Sequence, residues 1–355
     1  MITTMFRFFD RRWLTGLFVL TLALAPGSFG IPGFDGNQGW INSRPLSTSD
    51  LAGKVVLVDF WEYTCVNCLR TLPYLKAWYD RYHNDGLVIV GVHANEFEFS
   101  GDRGNIESAT RRLGISWPVV LDNNFAIWKR YTNNGWPHEY LFDQSGRLVD
   151  SVDGEGHYPE TESKIQSLLL AQNSKLSLPP VMQLLPQDSY DKPGAMCYLH
   201  TLEVLLERVP FANAGASQNP SREAAYVDDG SPRKDGAIYV QGEWHKTKEA
   251  AVADAPSAQL TMRYHSIQVV GVLAPEGGKS ERVDVTQDGA PIAKADAGSD
   301  IQYAADGTSY VTVDSPRAYD LVMNAKFAYH DLRLTSEAPG LGVYSFAFES
   351  CEAPK

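Results

Sequence analysis

Two cysteines with two residues between them, Cys65 and Cys68, follow, after four intervening residues, the nearly continuous apolar run Val55-Val56-Leu57-Val58-Asp59-Phe60. A run of this kind is a strand covered on both faces. From Leu72 onward, Leu75, Tyr79 and Tyr82 recur at helical spacing and form one buried stripe. Asn84-Asp85-Gly86 closes that helix, and Leu87-Val88-Ile89-Val90-Gly91-Val92 is a second apolar strand. Strand, helix and strand in this order predict a βαβ unit with a parallel pair. The cysteines therefore fall where a buried strand hands over to a helix.

That position suits redox chemistry. Unpaired amide dipoles at a helix N-terminus stabilise a thiolate, and only the thiolate attacks disulfides. Cys65 is expected as the exposed nucleophile, with Cys68 one turn deeper to resolve the mixed disulfide. A lone CxxC also serves as half a zinc site or as a plain structural disulfide. Zinc needs four ligands and no second CxxC exists in the chain, so no metal and no cofactor are expected.

Further along, the pattern predicts a helix near residues 103–113 and an apolar segment Pro118-Val119-Val120-Leu121. Tyr140-Leu141-Phe142 and Arg147-Leu148-Val149, joined by Asp143-Gln144-Ser145-Gly146, read as a hairpin, and a helix follows near residues 160–171. Residues 36–172 thus form an α/β domain. Residues 173–196 carry Pro179-Pro180, Pro186 and Pro193 in a polar setting and read as a linker. In residues 197–355 short alternating segments recur between Gly, Pro and Asp turns, for example Val283-Asp284-Val285, Tyr310-Val311-Thr312-Val313, Leu332-Arg333-Leu334 and Val343-Tyr344-Ser345-Phe346. This predicts an all-β sandwich of the jelly-roll kind.

The N-terminus places Arg7, Arg11 and Arg12 before an apolar stretch that Pro26-Gly27-Ser28-Phe29-Gly30 breaks. Residues 1–30 read as a signal peptide cleaved after Gly30, in preference to an uncleaved anchor, because a span needs about 20 apolar residues. Export to the periplasm follows. The whole chain carries a formal charge of −12, and without this basic leader the balance is −14. Such a surface argues against nucleic acid as a partner.

The segment Asp59-Phe60-Trp61-Glu62-Tyr63-Thr64-Cys65-Val66-Asn67-Cys68 through Pro73 resembles thioredoxins, and Gly135-Trp136-Pro137-His138-Glu139-Tyr140-Leu141-Phe142-Asp143 resembles their cis-proline loop and hairpin. A longer pattern is similar to the extracytoplasmic part of DipZ-type thiol–disulfide interchange proteins. It comprises Val92-His93-Ala94-Asn95-Glu96-Phe97, Gly154-Glu155-Gly156-His157-Tyr158-Pro159-Glu160-Thr161-Glu162, Gly242-Glu243-Trp244 and Tyr344-Ser345-Phe346-Ala347-Phe348. The resemblance implies a thioredoxin-like fold followed by a β-domain akin to carbohydrate-binding modules. It implies a protein-disulfide reductase or isomerase acting on protein disulfides and reduced by a separate membrane electron donor, because the membrane domain of DipZ has no counterpart in the sequence. A net disulfide oxidant is the alternative enzyme. A glycan- or protein-binding module with an accessory thioredoxin domain is the alternative of another class.

By the same resemblance, Pro137 and Trp136 lie against the cysteine pair with Trp61, as substrate contacts, and Asp59 matches the buried aspartate that accepts the proton of Cys68. A polar strand end facing solvent is the other reading of Asp59. Thr64 stands where thioredoxins carry Trp, Val66-Asn67 replaces Gly-Pro, and Thr71 occupies the position of a glutamate in cytochrome-maturation relatives. His93 and His138 are expected as hydrogen-bonded structural histidines, and Glu62 as a rim charge. Trp244, Tyr264, Tyr303 and Tyr310 are the aromatic candidates for a glycan platform, and Asp284 and Asp288 for a structural calcium. Cys197 and Cys351 bracket the β-domain, whose ends are expected to lie close, so a disulfide between them is expected over two buried free thiols.

Overall fold

The apolar run before the cysteines forms a strand with every side chain buried, and its neighbours complete a sheet around it. The computed structural model describes residues 30–185, 188, 192, 194–215 and 221–352; residues 1–29 of the expected leader and Pro186 and Pro193 of the linker lie outside them. The first half contains β1 (Trp40–Ile41), β2 (Val55–Trp61), α1 (Val66–Tyr82), β3 (Leu87–His93), α2 (Arg103–Arg112), β4 (Val119–Leu121), α3 (Ala126–Arg130), β5 (His138–Phe142), β6 (Leu148–Asp153) and α4 (Tyr158–Gln172). The sheet order is β1-β4-β3-β2-β5-β6, with β2, β3 and β4 parallel and β5 antiparallel to β2. This is a thioredoxin-like sheet, with β2 at its centre.

Period-two alternation sorts β2 onto two cores. Val55, Leu57 and Trp61 pack under α1 and α4, whereas Val56, Val58 and Phe60 pack on the opposite face. Asp59 belongs by its register to the first set, on the side of the cysteines. In α1 the buried stripe runs through Leu72, Leu75, Trp78 and Tyr82, and Gly86, at φ 113°, ends the chain's descent from it. Gly91 on β3 has a packing reason: a Cβ there would stand 2.9 Å from the indole nitrogen of Trp61. The last helix starts two residues earlier than the pattern predicts, because Tyr158 is pulled into the core, where its ring stacks on Tyr74 at 3.7 Å.

The proline-rich stretch after α4 is not a loose tether. Leu176, Leu178, Met182, Leu184 and Leu185 pack against the α1 core. The Met182 amide donates to Glu162 at 2.7 Å, the Leu185 amide donates to the Tyr74 hydroxyl at 2.8 Å, and the same hydroxyl donates to Asp188. Proline content marked irregular backbone, but apolar residues between the prolines dock it as a strap along the helix.

The second half consists of strands: β7 (Met196–Cys197), β8 (Val204–Leu205), β9 (Ala224–Tyr226), β10 (Ile238–Lys246), β11 (Ala251–Ala253), β12 (Gln259–Pro275), β13 (Glu281–Gln287), β14 (Ala290–Pro291), β15 (Gln302–Tyr303), β16 (Ser309–Val313), β17 (Arg317–Ser336), β18 (Leu341–Glu349) and β19 (Cys351–Glu352). Among the described residues they build a large antiparallel sheet in the order β15-β16-β13-β17-β12-β10-β11-β18-β8, plus the small β7–β19 pair. Two strands are far longer than the expected short segments: β12 has 17 residues and β17 has 20. Register shifts in β12 near Ser266 and Val269 bend it, so that it pairs with β10 and β17 and also with β18. The sheet folds over one core that includes Trp244, Tyr264, Tyr319 and Phe346. At β7 and β19 Cys197 and Cys351 are joined by a disulfide, S–S 2.01 Å, across 154 residues of sequence.

The two halves meet along an apolar seam. Phe97 and Phe99 pack against Tyr344, the second pair at 4.7 Å edge to face, with Val270, Val272 and Ala318 around them. Arg70 of α1 fastens one end of the seam through Glu349 at 3.1 Å and Gln268 at 2.9 Å.

Candidate active site

The end of β2 and the start of α1 determine the site. Cys65 is the N-cap of α1: its backbone is extended and its sulfur accepts the Cys68 amide at 3.3 Å. A cap leaves the first turn's amide dipoles directed at the cap side chain, which is where a negative sulfur is most favoured. Cys65 is half-buried. Cys68 is buried, and its thiol donates to the Cys65 sulfur at 2.7 Å. Burial above all, and then the hydrogen bond and charge of Cys65, push the Cys68 thiol well up. The two sulfurs are therefore unequal: one is accessible at a helix terminus, the other desolvated beneath it.

Asp59 lies on the floor of this arrangement, only 1% exposed. Its two carboxyl oxygens have no hydrogen-bond partner among the described residues, and burial pushes its pKa up to about 7. The solvent-facing reading of Asp59 is thus overturned, and its charge reaches Cys68. Glu139 stands opposite it in the β2–β5 register. Burial and then the Asp59 charge hold Glu139 well above the usual carboxylate range. The sequence offered no hint of this second acid beyond its place in the proline loop.

Glu62 is not a rim charge. It is fully buried, and its Oε2 accepts from the amides of Thr64 at 2.6 Å and Cys65 at 3.1 Å, and from the Thr64 hydroxyl. The carboxylate therefore fixes the turn that carries the nucleophile, which explains a threonine before Cys65. The expectation for His93 also changes. It is fully buried with no hydrogen-bond partner among the described residues, stacked on Tyr63 at 5.6 Å and 3.7 Å from Glu62. This β3 residue is enclosed by the Trp61 and Tyr63 rings with the Glu62 carboxylate just beyond hydrogen-bond distance. His138 is held as expected, by Ser151 at 2.8 Å and by the Tyr140 ring.

A cleft of about 390 Å³ opens over the Cys65 sulfur. One wall comes from Thr64, Cys65, Val66, Asn67 and Trp136, and the other from Val270, Val272, Ala347, Phe348 and Glu349 of β12 and β18. The Trp136–Pro137 peptide bond is cis and lies at this cleft. Trp136 can touch what enters. Trp61 cannot: it is 1% exposed and packed beneath α1, so its expected role as a substrate contact is corrected to a core role. The opposite wall was not foreseeable, because only the tertiary fold brings β12 and β18 to Cys65.

In the β-region, Trp244 and Tyr264 are fully buried and cannot form a glycan platform. Tyr303 and Tyr310 are half-buried, and the Tyr310 ring is covered by Arg282 at 4.2 Å. Asp284 is paired with Arg282 at 2.8 Å and Asp288 with His330 at 2.7 Å, so neither carboxylate is free for calcium.

Comparison with known proteins agrees with both halves. Residues 30–151 match the AhpC/TSA family, and residues 207–348 match the family described as thioredoxin like C-terminal domain. Protein DipZ of Mycobacterium bovis is 30% identical over 320 residues, which is 89% of this chain and 42% of that protein. The chain is similar to DipZ along nearly its whole length. It spans well under half the length of the DipZ proteins it matches. The thiol-disulfide oxidoreductase ResA of Bacillus cereus is 25% identical over 128 residues, covering 36% of this chain and 71% of ResA. A crystal structure of a thiol-disulfide isomerase from Corynebacterium glutamicum aligns at 23% identity and a TM-score of 0.35, covering 38% of this chain and 92% of that one. In this DipZ-like chain Cys65 and Trp136, the residue before the cis proline, line one cleft, and β12 and β18 of the β-region close its far side.

Proposed function

We propose that this chain is an exported thiol–disulfide oxidoreductase that reduces or isomerises protein disulfides through Cys65 and Cys68. The observation that carries the reading is the inequality of the two sulfurs: Cys65 faces the cleft as a helix cap, and Cys68 is buried 2.7 Å behind it. The Cys65 thiolate attacks one sulfur of a substrate disulfide, forming a mixed disulfide and releasing the other sulfur as a thiolate. Cys68 gives its proton to the Asp59 carboxylate and attacks the Cys65 sulfur. The Cys65–Cys68 disulfide forms and the second substrate thiolate leaves, so two electrons pass to the substrate. A separate membrane dithiol returns two electrons and two protons to the pair. Pro137 and Trp136 support extended substrate backbone beside Cys65.

Residues 1–30 act as the export signal in this reading, and the compartment is the periplasm. No helix among the described residues is long and apolar enough to cross a membrane. The test is the equilibrium potential of Cys65–Cys68 against glutathione, together with turnover of a disulfide-bonded protein. A strongly oxidising potential would assign the chain to net disulfide formation instead.

A second reading concerns the β-region. Tyr329 is 56% exposed and stacks on His265 at 4.5 Å, beside Phe327 and Tyr198, which stack on each other at 4.7 Å. Such a ridge is suited to sugar rings, and we propose it in place of the buried aromatics. Loss of glycan-array signal in Tyr329→Ala tests it.

A further inference from the structure

Two sequence motifs have no part in the dithiol chemistry, residues 92–97 and 154–162. Each sends a carboxylate to the cleft over Cys65: Glu96 from the first and Glu155 from the second. The facing wall adds Glu203 and Glu349, and none of the described residues lining the cleft is lysine or arginine. Arg70 lies behind and is committed to structure, bridging Glu155 at 3.0 Å and Glu349 at 3.1 Å. The Glu96 side chain has no hydrogen bond or ion pair among the described residues. Burial raises its pKa to about 8, reinforced by the charges of Glu62 and Glu203 and opposed by Arg208. Between these acids lie the apolar Trp136, Val270, Val272 and Phe348, beside the polar Asn67, Ser345 and His200.

A groove with an apolar floor and carboxylates at its edges matches one kind of side chain, a long aliphatic stem ending in a cation. We infer that the cleft selects protein substrates whose disulfide is flanked by lysine or arginine. The stem lies on Val270, Val272 and Phe348, and the cation meets Glu203 and Glu96, displacing the proton that burial holds on Glu96 near neutral pH, while the half-cystine faces Cys65. An acidic flank would bring like charge into a partly desolvated slot, where screening is weak. The inference rests on Cys65 being the attacking sulfur, as proposed above, and adds the class of substrate to that reading.

Three peptides with one intramolecular disulfide, flanked by three lysines, three serines or three glutamates, test it on the full chain. With the reduced protein, kcat/KM for the lysine peptide should exceed that for the glutamate peptide by about tenfold at low salt, and the gap should shrink as salt rises. In Glu96→Gln/Glu203→Gln the ratio should fall several-fold. Equal rates for the two charged peptides in wild-type protein would overturn the selection. Failure to turn over even the serine peptide would instead sink the oxidoreductase reading. Affinity then decides the selection by itself, measured by fluorescence anisotropy with the same peptides carrying serine in place of cysteine. Tighter binding of the lysine peptide supports it, and equal binding refutes it.

Discussion

Asp59 and Glu139 face each other across two central strands, paired in antiparallel register and both almost completely buried. Paired residues on adjacent antiparallel strands share one face, so the two carboxyls compete for a dry environment that holds at most one charge easily. The pair lies on the cysteine side of the sheet, where a proton must move when Cys68 attacks.

The stability consequence has a definite sign. A carboxyl whose folded pKa is about 7 and whose unfolded pKa is near 3.8 binds its proton more tightly when folded. The folded state is thus favoured below pH 4 and loses that advantage as pH rises through 7. Asp59→Asn should remove this slope and stabilise the protein at pH 8.5 by on the order of 2 kcal/mol. Denaturant melts at pH 5 and pH 8.5 measure it. Identical pH dependence in wild type and variant would remove Asp59 from the account.

The same substitution should slow resolution of the mixed disulfide. In wild-type protein the rate should climb as pH passes through about 7, the range in which Asp59 becomes able to accept a proton. In Asp59→Asn that inflection should vanish. Stopped-flow measurement between pH 6 and pH 9 reads it directly.

Trapping separates the two cysteines. Cys68→Ala should accumulate mixed disulfides with cellular proteins, and Cys65→Ala should not, because only Cys65 reaches the cleft. Equal trapping by both variants would contradict the assignment.

Glu62→Ala leaves the amides of Thr64 and Cys65 without their acceptor in a buried turn. A lost charged hydrogen-bond network of this kind costs about 2–4 kcal/mol. The chain should unfold at correspondingly lower denaturant, and the alkylation rate of Cys65 should change, a readout that a remote core defect would not move.

Cys197→Ser with Cys351→Ser opens a loop whose ends are 154 residues apart in sequence. In the chain-entropy model a loop of this length corresponds to about 5 kcal/mol, and measured losses are typically about 2–4 kcal/mol. Reducing denaturation of wild-type protein should give a similar loss. No loss in either experiment would leave the bond without a stabilising role.

Much of this architecture was legible because it rests on local rules. The β2 run, the α1 stripe and the Asp143–Gly146 turn follow from periodicity and turn chemistry, and the cysteine spacing located the reactive end of the helix. What was illegible depends on distant partners. Glu62 looked like a surface charge because nothing nearby in sequence shows that the Thr64–Cys65 turn folds back over it. The strap after α4 looked like a tether because proline signals the lack of regular structure, not the lack of packing. Trp244 and Tyr264 looked available for sugars, but a long bent β12 turns that side of the sheet inward.

Arg70 and Gln268 touch although 198 residues separate them in sequence. The reactive dithiol and the surface facing it are therefore written in different stretches of the gene. Under the substrate selection proposed above, changes in β12 or β18 alter which clients are accepted while leaving the electron-transfer parts untouched. A lineage of such proteins can diversify its clientele by recombination, exchanging one half of the jaw and inheriting the chemistry with the other.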